Sequence, residues 1–502
     1  MARKKLNQFL NAIHTPNWVA LLLLGLFLLR IPSFFEPFNY GDEMIYLTLG
    51  QGINKGLVLY KDIHDNKPPL LYLTAAVAGN VFWFRVILAF WMMATTIIFW
   101  KLTDRLFPKN TKLVKAATIF FGIFTTIPLL EGQTANAELF LIGPVIAAFY
   151  LVVNKKAKLW HYAFSGLLFS IATLFKVPAA FDGLALIFVL FILSKNKLNK
   201  KDFFQKSLLV LFGFITPIFV SFVWYWLRGA LNEYLVAAYL QNVGYLSSWR
   251  PGDATEPFIV RNAPLLARGV VMFAGYAILY LYRKKLSLPF LLGSAWLLSS
   301  LFAITLSERP YPHYLVQAIP AISLLFGMLL FKKDIEQTFT IIPLFLALLV
   351  PVYYNFWHYP TLPYYTRFIN FATGAINKEE YFNRFEGNVN RNYEIAKFLR
   401  ESSAPHDRVF VWGDAASTIY ALSRRLPPIK YVATYHINDF ASKEEIITAI
   451  DSQKPAYVIV LSEAEHFNEL NSYLNLNYMQ IKTIDDAVIW RLINPRVLSI
   501  IR

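Results

Sequence analysis

The strongest constraint on this chain is a succession of apolar runs, each near the length of a bilayer crossing and each followed by a short polar loop. Residues 18–29 read WVALLLLGLFLL, and residues 258–282 read FIVRNAPLLARGVVMFAGYAILYLY. A helix of about 20 apolar residues crosses the hydrocarbon core, and it satisfies its backbone hydrogen bonds internally, as lipid requires. Hydrophobic residues make up 56% of the 502 and charged residues only 16%; a soluble chain carries roughly 25% charged residues. The expected fold class is therefore a polytopic α-helical membrane protein. Hydropathy and loop charge predict about eleven spanning helices, near 17–35, 80–100, 115–131, 137–153, 160–176, 182–194, 207–226, 263–282, 288–306, 313–331 and 338–356.

The loops orient these spans. One set reads MARKK, KLTDRLFPKNTKLVK, NKKAK, SKNKLNKKDFFQK, YRKK and FKKD. Every second loop is lysine-rich, which is the pattern of cytoplasmic loops. The net charge of +16 thus reflects topology, and no nucleic-acid partner is expected. The alternate set holds loop 36–79, EGQTANAE, KVPAAFD, loop 227–262 and SERPYPHY, and is expected outside. Apolar stretch 18–29 lacks a small-residue cleavage site after it, so it reads as a retained helix. The chain has no cysteine, which removes disulfide and thiol chemistry. The expected location is the plasma membrane of a prokaryote, multi-pass, with a cytoplasmic N-terminus.

From residue 357 the composition changes. That tail carries sixteen basic and sixteen acidic residues, so the positive charge belongs to residues 1–356. An odd number of spans places the tail outside. Its sequence predicts a helix at 393–403, strands at 408–413, 429–434 and 456–462, helices at 414–423 and 442–452, and a terminal hairpin over 478–492 turning at Asp485-Asp486. Strands alternating with helices predict an α/β domain with a mainly parallel sheet. The turn VWGD is read as a strand-to-helix connection in which Asp414 caps the helix, in preference to a ligand site. The tail histidines lack metal-ligand spacing.

The first outer loop, 36–79, concentrates the chemistry. Gly41-Asp42 can open a short helix with Asp42 as its cap, and Tyr46 then lies one turn on from Asp42 and Glu43. Two glycine breaks follow, then a strand-like piece, then Lys67-Pro68-Pro69-Leu70, where the prolines stiffen the chain and fix the direction of Lys67. RIPSFFEPFNYGDEMIY followed by YKDIHDNKPPLLY resembles the start of the membrane glycosyltransferases of the GT-C fold, in particular glycosyltransferase family 39 and its neighbours. That group includes the protein O-mannosyltransferases and the lipid A aminoarabinose transferases. The resemblance covers roughly residues 15–330. Its weaker parts are TANAELF with Glu138, LFKVPAA with Lys176, and SERPYPHYLVQAIPA with Arg309 and His313. The C-terminal domain has no counterpart in it.

The resemblance implies transfer of a monosaccharide from a polyprenyl phosphate carrier to an extracytoplasmic acceptor, which could be a glycan, a lipid or a protein. It implies Asp42 as general base, with Glu43 beside it. Lys67, Lys176, Arg309 and His313 are candidate contacts to the donor phosphate, and His313 is also a candidate metal ligand. Glu138 and Tyr46 are candidates for orienting the acceptor, and Glu138 also for holding a divalent ion. Some relatives use a divalent metal and others do not, so the metal stays open. An apolar groove for the lipid tail is expected from membrane-facing surface. Each of these residues also has a plainer reading: helix cap for Asp42 and Glu138, snorkelling lysine for Lys67, membrane anchor for Lys176. Residues 227–262 read as a membrane-lying cover or a plain interfacial helix. The rival class is a secondary transporter or lipid-carrier flippase, whose marks would be mid-helix polar residues or two matching halves.

Overall fold

The structure, a computed structural model, describes residues 15–154, 156–196, 200–242, 257–307 and 309–493. All eleven predicted spans fall on helices. Among the described residues, seven stretches are long and apolar enough to cross a membrane: Asn17–Phe35, Val81–Leu106, Lys200–Leu227, Ala263–Tyr282, Leu288–Ser307, Pro312–Phe331 and Ile335–Tyr353. The other four predicted spans are shorter helices of 14 to 17 residues: Thr111–Phe124, Ala137–Val152, Leu159–Phe175 and Asp182–Asn196. The predicted span 115–131 ends early, at Phe124. A 3₁₀ turn at Pro128–Leu130 replaces its last turns, because proline lacks an N–H and disfavours helical geometry in the residue before it. Most of the predicted membrane-lying stretch of loop 227–262 falls on 243–256, outside the described residues.

The chain forms two compact units. The first takes the sequence up to Ser33, Arg85–Tyr225 and Tyr239–Leu362. Its central helix, Leu288–Ile304, is buried almost throughout, with Trp296 fully enclosed. Helices Leu159–Phe175 and Lys200–Leu227 cross at Gly166 and Gly213. A Cβ on either glycine would collide with a backbone carbonyl of the other helix, that of Val210 or of Ala163. Small residues at such crossings let helix backbones touch, and close packing is what holds helices together in lipid. Two buried arginines fasten chain ends: Arg30 Nη2 donates to the Thr125 carbonyl and Arg85 Nη1 to the Ser33 carbonyl, each at 2.8 Å.

The second unit takes Phe34–Phe84, Trp226–Ala238 and the chain from Pro363 onward. Helix Gly41–Asn54 is its axis, buried from Glu43 to Gly52. Gly50 and Gly52 do not break the helix, whereas Gly56, at φ 87°, follows its end. Gly50 stays helical because helix Leu70–Ala78 lies against it, where a Cβ would come within 2.6 Å of the Ala76 nitrogen. Met44, Ile45, Leu47 and Leu49 are protein-buried, since the opposite side of the helix meets helix Ala416–Ser423. There Thr48 Oγ1 donates to the Ser417 carbonyl (3.2 Å) and Gln51 Nε2 to the Ala421 carbonyl (2.9 Å).

The sheet has four strands, β1 (Val409–Trp412), β2 (Tyr457–Val460), β3 (Tyr478–Ile484) and β4 (Ala487–Leu492), in the order β1-β2-β4-β3. Only β1 and β2 pair in parallel; β2–β4 and β4–β3 are antiparallel. The expectation of a mainly parallel sheet is corrected because 429–434 is not a strand. Pro427-Pro428 stiffen the chain just before it. Tyr431 makes just a single bridge to His64, and Thr434 already starts helix Thr434–Phe440. The terminal hairpin forms as predicted, with Asp485 at φ 49° in the turn. Gly413, at φ 138°, makes the VWGD turn. The helix after it is capped at Ala415 with no side-chain bond, so Asp414 is not its cap.

Candidate functional site

Asp42 and Glu43 fall in the first turn of helix Gly41–Asn54, whose cap is Tyr40, with no side-chain capping bond. Asp42 is therefore not the cap. The first turn carries the positive end of the helix dipole, which favours carboxylates there. The two acids then part. Glu43 is fully buried, whereas the Asp42 side chain is 30% exposed. One turn on, the Tyr46 hydroxyl donates to Asp42 Oδ2 at 2.8 Å.

Lys67 meets this pair from the other end of the loop. Its Nζ lies 3.7 Å from Asp42 Oδ2 and 3.9 Å from Asp65 Oδ2, and 4.9 Å from the centroid of the Tyr46 ring. Its backbone is pinned on both sides. The Lys67 N–H donates to Tyr72 Oη at 3.0 Å, and the Tyr60 hydroxyl donates to the Lys67 carbonyl at 2.8 Å. Pro68-Pro69 lead directly into helix Leu70–Ala78, which carries Tyr72.

Asp65 is almost wholly enclosed. Its side chain is 1% exposed. The Tyr72 hydroxyl donates to Oδ2 at 2.7 Å, the Asn66 N–H donates to Oδ1 at 2.8 Å, and His436 Nε2 stands 3.4 Å from Oδ1. Burial pushes the Asp65 carboxyl up, but the Lys67 and His436 charges and the Tyr72 and Asn66 hydrogen bonds together outweigh it, leaving it below the ordinary carboxylate range. Burial holds His436 below the usual histidine value, against the pull of Asp65. Burial first, then the neighbouring carboxylates, raises Tyr46 and Tyr72 well above the usual phenol value, so both remain hydrogen-bond donors.

The first unit holds a second polar cluster. Lys176, just past the end of helix Leu159–Phe175, pairs with Glu138 in the first turn of helix Ala137–Val152. Its Nζ also lies 3.6 Å from the centroid of the Tyr314 ring. His313 Nδ1 is 2.8 Å from Glu131 Oε2, which also accepts from Asn136 Nδ2 at 2.7 Å. Glu131 sits at φ 56°, in a loop stapled by Gln133 Nε2 to the Thr126 carbonyl at 2.6 Å. Arg309 is exposed in the segment leading to His313.

The structure thus joins Asp42, Tyr46 and Lys67 in the second unit, and joins Glu138 with Lys176 in the first. His313 takes Glu131 as its partner. Sequence reasoning passed over Asp65, Tyr72 and Glu131, although each lies inside a stretch already singled out. His436 offered no signal, being remote in sequence from loop 36–79. Among the described residues no three His, Asp or Glu side chains stand together as a metal site requires, and the His313 nitrogen nearest a carboxylate is taken up by its contact with Glu131.

The fold is the GT-C fold of membrane glycosyltransferases. The chain is similar to the crystal structure of ArnT from Cupriavidus metallidurans bound to undecaprenyl phosphate, at 14% identity and a TM-score of 0.58, covering 95% of this chain and 98% of that one. Against the apo state of the same protein the TM-score is 0.52 at 14% identity, covering 94% and 97%. Residues 389–491 match the family described as "Putative competence-induced protein Ccs4 C-terminal domain". No curated protein sequence matches the chain significantly.

Proposed function

We propose that this protein is an inverting glycosyltransferase that moves a monosaccharide from a polyprenyl phosphate carrier to an extracytoplasmic acceptor. The single observation that carries the reading is the Asp42–Lys67 pair, a part-exposed carboxylate 3.7 Å from a pinned ammonium, in a chain whose fold is shared with an undecaprenyl phosphate-bound protein. The acceptor hydroxyl gives its proton to Asp42 as its oxygen bonds to the anomeric carbon. The bond from that carbon to the phosphate oxygen breaks, and the electron pair leaves with the polyprenyl phosphate. One displacement inverts the sugar carbon. A carboxylate of ordinary basicity serves when proton transfer is late.

Lys67 would compensate the departing phosphate as a point charge; in the first unit, Lys176 and His313 already have carboxylate partners. Tyr46 holds Asp42 by its hydroxyl, and Glu138 is kept for its pairing with Lys176 or for the acceptor. Asp42 is preferred to Glu43 as base because Glu43 is fully buried. The N-terminus would be cytoplasmic. Residues 1–356 would form the transferase domain and 357–502 an extracytoplasmic domain.

The test uses purified protein in liposomes, a panel of undecaprenyl phosphate sugars and a cell-envelope acceptor extract, with acceptor-dependent release of undecaprenyl phosphate read by mass spectrometry. Release by the wild type and its loss in a folded Asp42→Asn variant support the reading. Equal release by both removes Asp42 from the chemistry. Absence of release, together with carrier flux across the bilayer, moves the protein to the flippase class.

A further inference from the structure

The C-terminal part of the chain meets the first outer loop through several built contacts, all inside the second unit. Lys55 Nζ donates to the carbonyls of Arg424 (2.8 Å) and Pro405 (3.1 Å). The His64 N–H donates to the Lys430 carbonyl at 2.9 Å. One contact differs in kind, because it reaches the candidate chemistry. His436, on helix Thr434–Phe440, approaches Asp65 Oδ1, and Asp65 Oδ2 faces Lys67 Nζ.

We propose that Asp65 is a positioning residue for Lys67, and that the C-terminal domain, through His436, keeps the Asp65 carboxylate turned toward it. The inference rests on the reading of Lys67 as the donor-phosphate contact.

Three observations support it. First, Asp65 is 1% exposed, so it does not meet substrate directly and acts through its neighbours. Second, its two oxygens are divided: Oδ1 takes the Asn66 N–H and faces His436, while Oδ2 takes the Tyr72 hydroxyl and faces Lys67. This division fixes the plane of the carboxylate. Third, His436 Nδ1 is buried and makes no hydrogen bond, so the ring is held here by its Nε2 side and by packing. Its ring faces His64 and Phe440, at centroid distances of 6.2 and 5.8 Å. The charged groups acting on it are Asp65, Lys67, Asp42 and Asp439. A buried carboxylate between one cation and one titratable ring serves as a fixed rail for the cation. A phosphate arriving at Lys67 draws the ammonium away from Asp65 and leaves that carboxylate to His436.

The experiment uses full-length protein in nanodiscs and undecaprenyl phosphate, without sugar, as the probe. Lys67→Met tests the underlying reading, and at least tenfold weaker binding is expected. Unchanged binding by that variant overturns the phosphate-contact reading itself. With Lys67→Met weakened, Asp65→Asn is expected to bind at least fivefold more weakly. His436→Leu is expected to behave like Asp65→Asn, and His436→Gln, which restores an N–H toward Oδ1, to return toward wild type. Wild-type-like or tighter binding by Asp65→Asn overturns the inference alone. A second readout needs no folded variant: the His436 titration midpoint in wild-type protein, followed by NMR of labelled histidine. It is expected to rise by at least half a pH unit when undecaprenyl phosphate is added. A midpoint indifferent to the ligand also overturns the inference.

Discussion

The two polar clusters differ in how their charges are balanced. In the first unit each cation has its own anion, Lys176 with Glu138 and His313 with Glu131, and all four side chains are largely buried. In the second unit one cation, Lys67, stands between two carboxylates at 3.7 and 3.9 Å. A closed pair is compensated and has little to gain from a new partner. A lysine shared by two acids leaves the group with one negative charge in excess, and the part-exposed acid, Asp42, is the one placed to take up a proton. The difference fits the proposal that Asp42 takes the acceptor proton.

Ways to break that comparison follow in order of expected effect. Asp42→Asn should lower transfer by at least about a hundredfold while leaving the thermal midpoint in place, as loss of a general base does; a small rate effect would make the two clusters equivalent. Lys67→Met should cost about a hundredfold in turnover, the usual size for removing one charged stabiliser, and Lys67→Arg should recover part of it. Gly50→Ala should destabilise by about 1–3 kcal/mol, because its Cβ would meet the Ala76 backbone nitrogen at 2.6 Å, and backbone cannot step aside. A thermal melt reads this directly. Glu131→Gln should cost stability of about 1–3 kcal/mol, by weakening a buried charge-assisted bond. It should change turnover by less than tenfold, the equivalent of about 1.4 kcal/mol of barrier; a larger rate loss would move catalysis toward the first unit.

The smallest expected effect concerns pH. His436 titrates below its ordinary 6.5 in the folded chain. The unfolded chain therefore binds the proton first, and stability is full above that ordinary value and falls as pH drops below it. Asp65, held below its ordinary 3.8, contributes stability above that value and loses it only as pH falls further. A midpoint series across mild acid should thus decline in wild type and flatten in His436→Gln.

How much of this was legible in the sequence differs sharply between regions. The spans were readable because lipid imposes length and composition on each helix, whereas Asp42 and Lys67 were singled out together through the resemblance of their two motifs, and their distance came only from the structure. The sheet was misread at 429–434, where β-branched and aromatic residues suggested a strand, but the run makes one isolated bridge, at Tyr431, before helix Thr434–Phe440 takes over. Gly50 was misread for a related reason: glycine breaks a helix when nothing packs on it, and only the three-dimensional neighbour reveals that Ala76 fills its space. His436 lay beyond sequence reasoning altogether, since its approach to Asp65 depends on tertiary folding across most of the chain.

The crossing at Gly166 and Gly213 bears on life in a fluid bilayer. Helix Lys200–Leu227 has 28 residues, of which the first seven carry four charges; its apolar part, 207–227, is about 32 Å long at 1.5 Å per residue, close to a hydrocarbon core of about 30 Å. Only 11% of its apolar window is buried, so acyl chains are its main company. A span longer than its membrane takes up the excess by tilting or kinking. The glycine crossing gives that tilt a fulcrum, and Pro217, four residues on, gives it a bend. A bilayer thinner than this span would be met by one helix leaning on another.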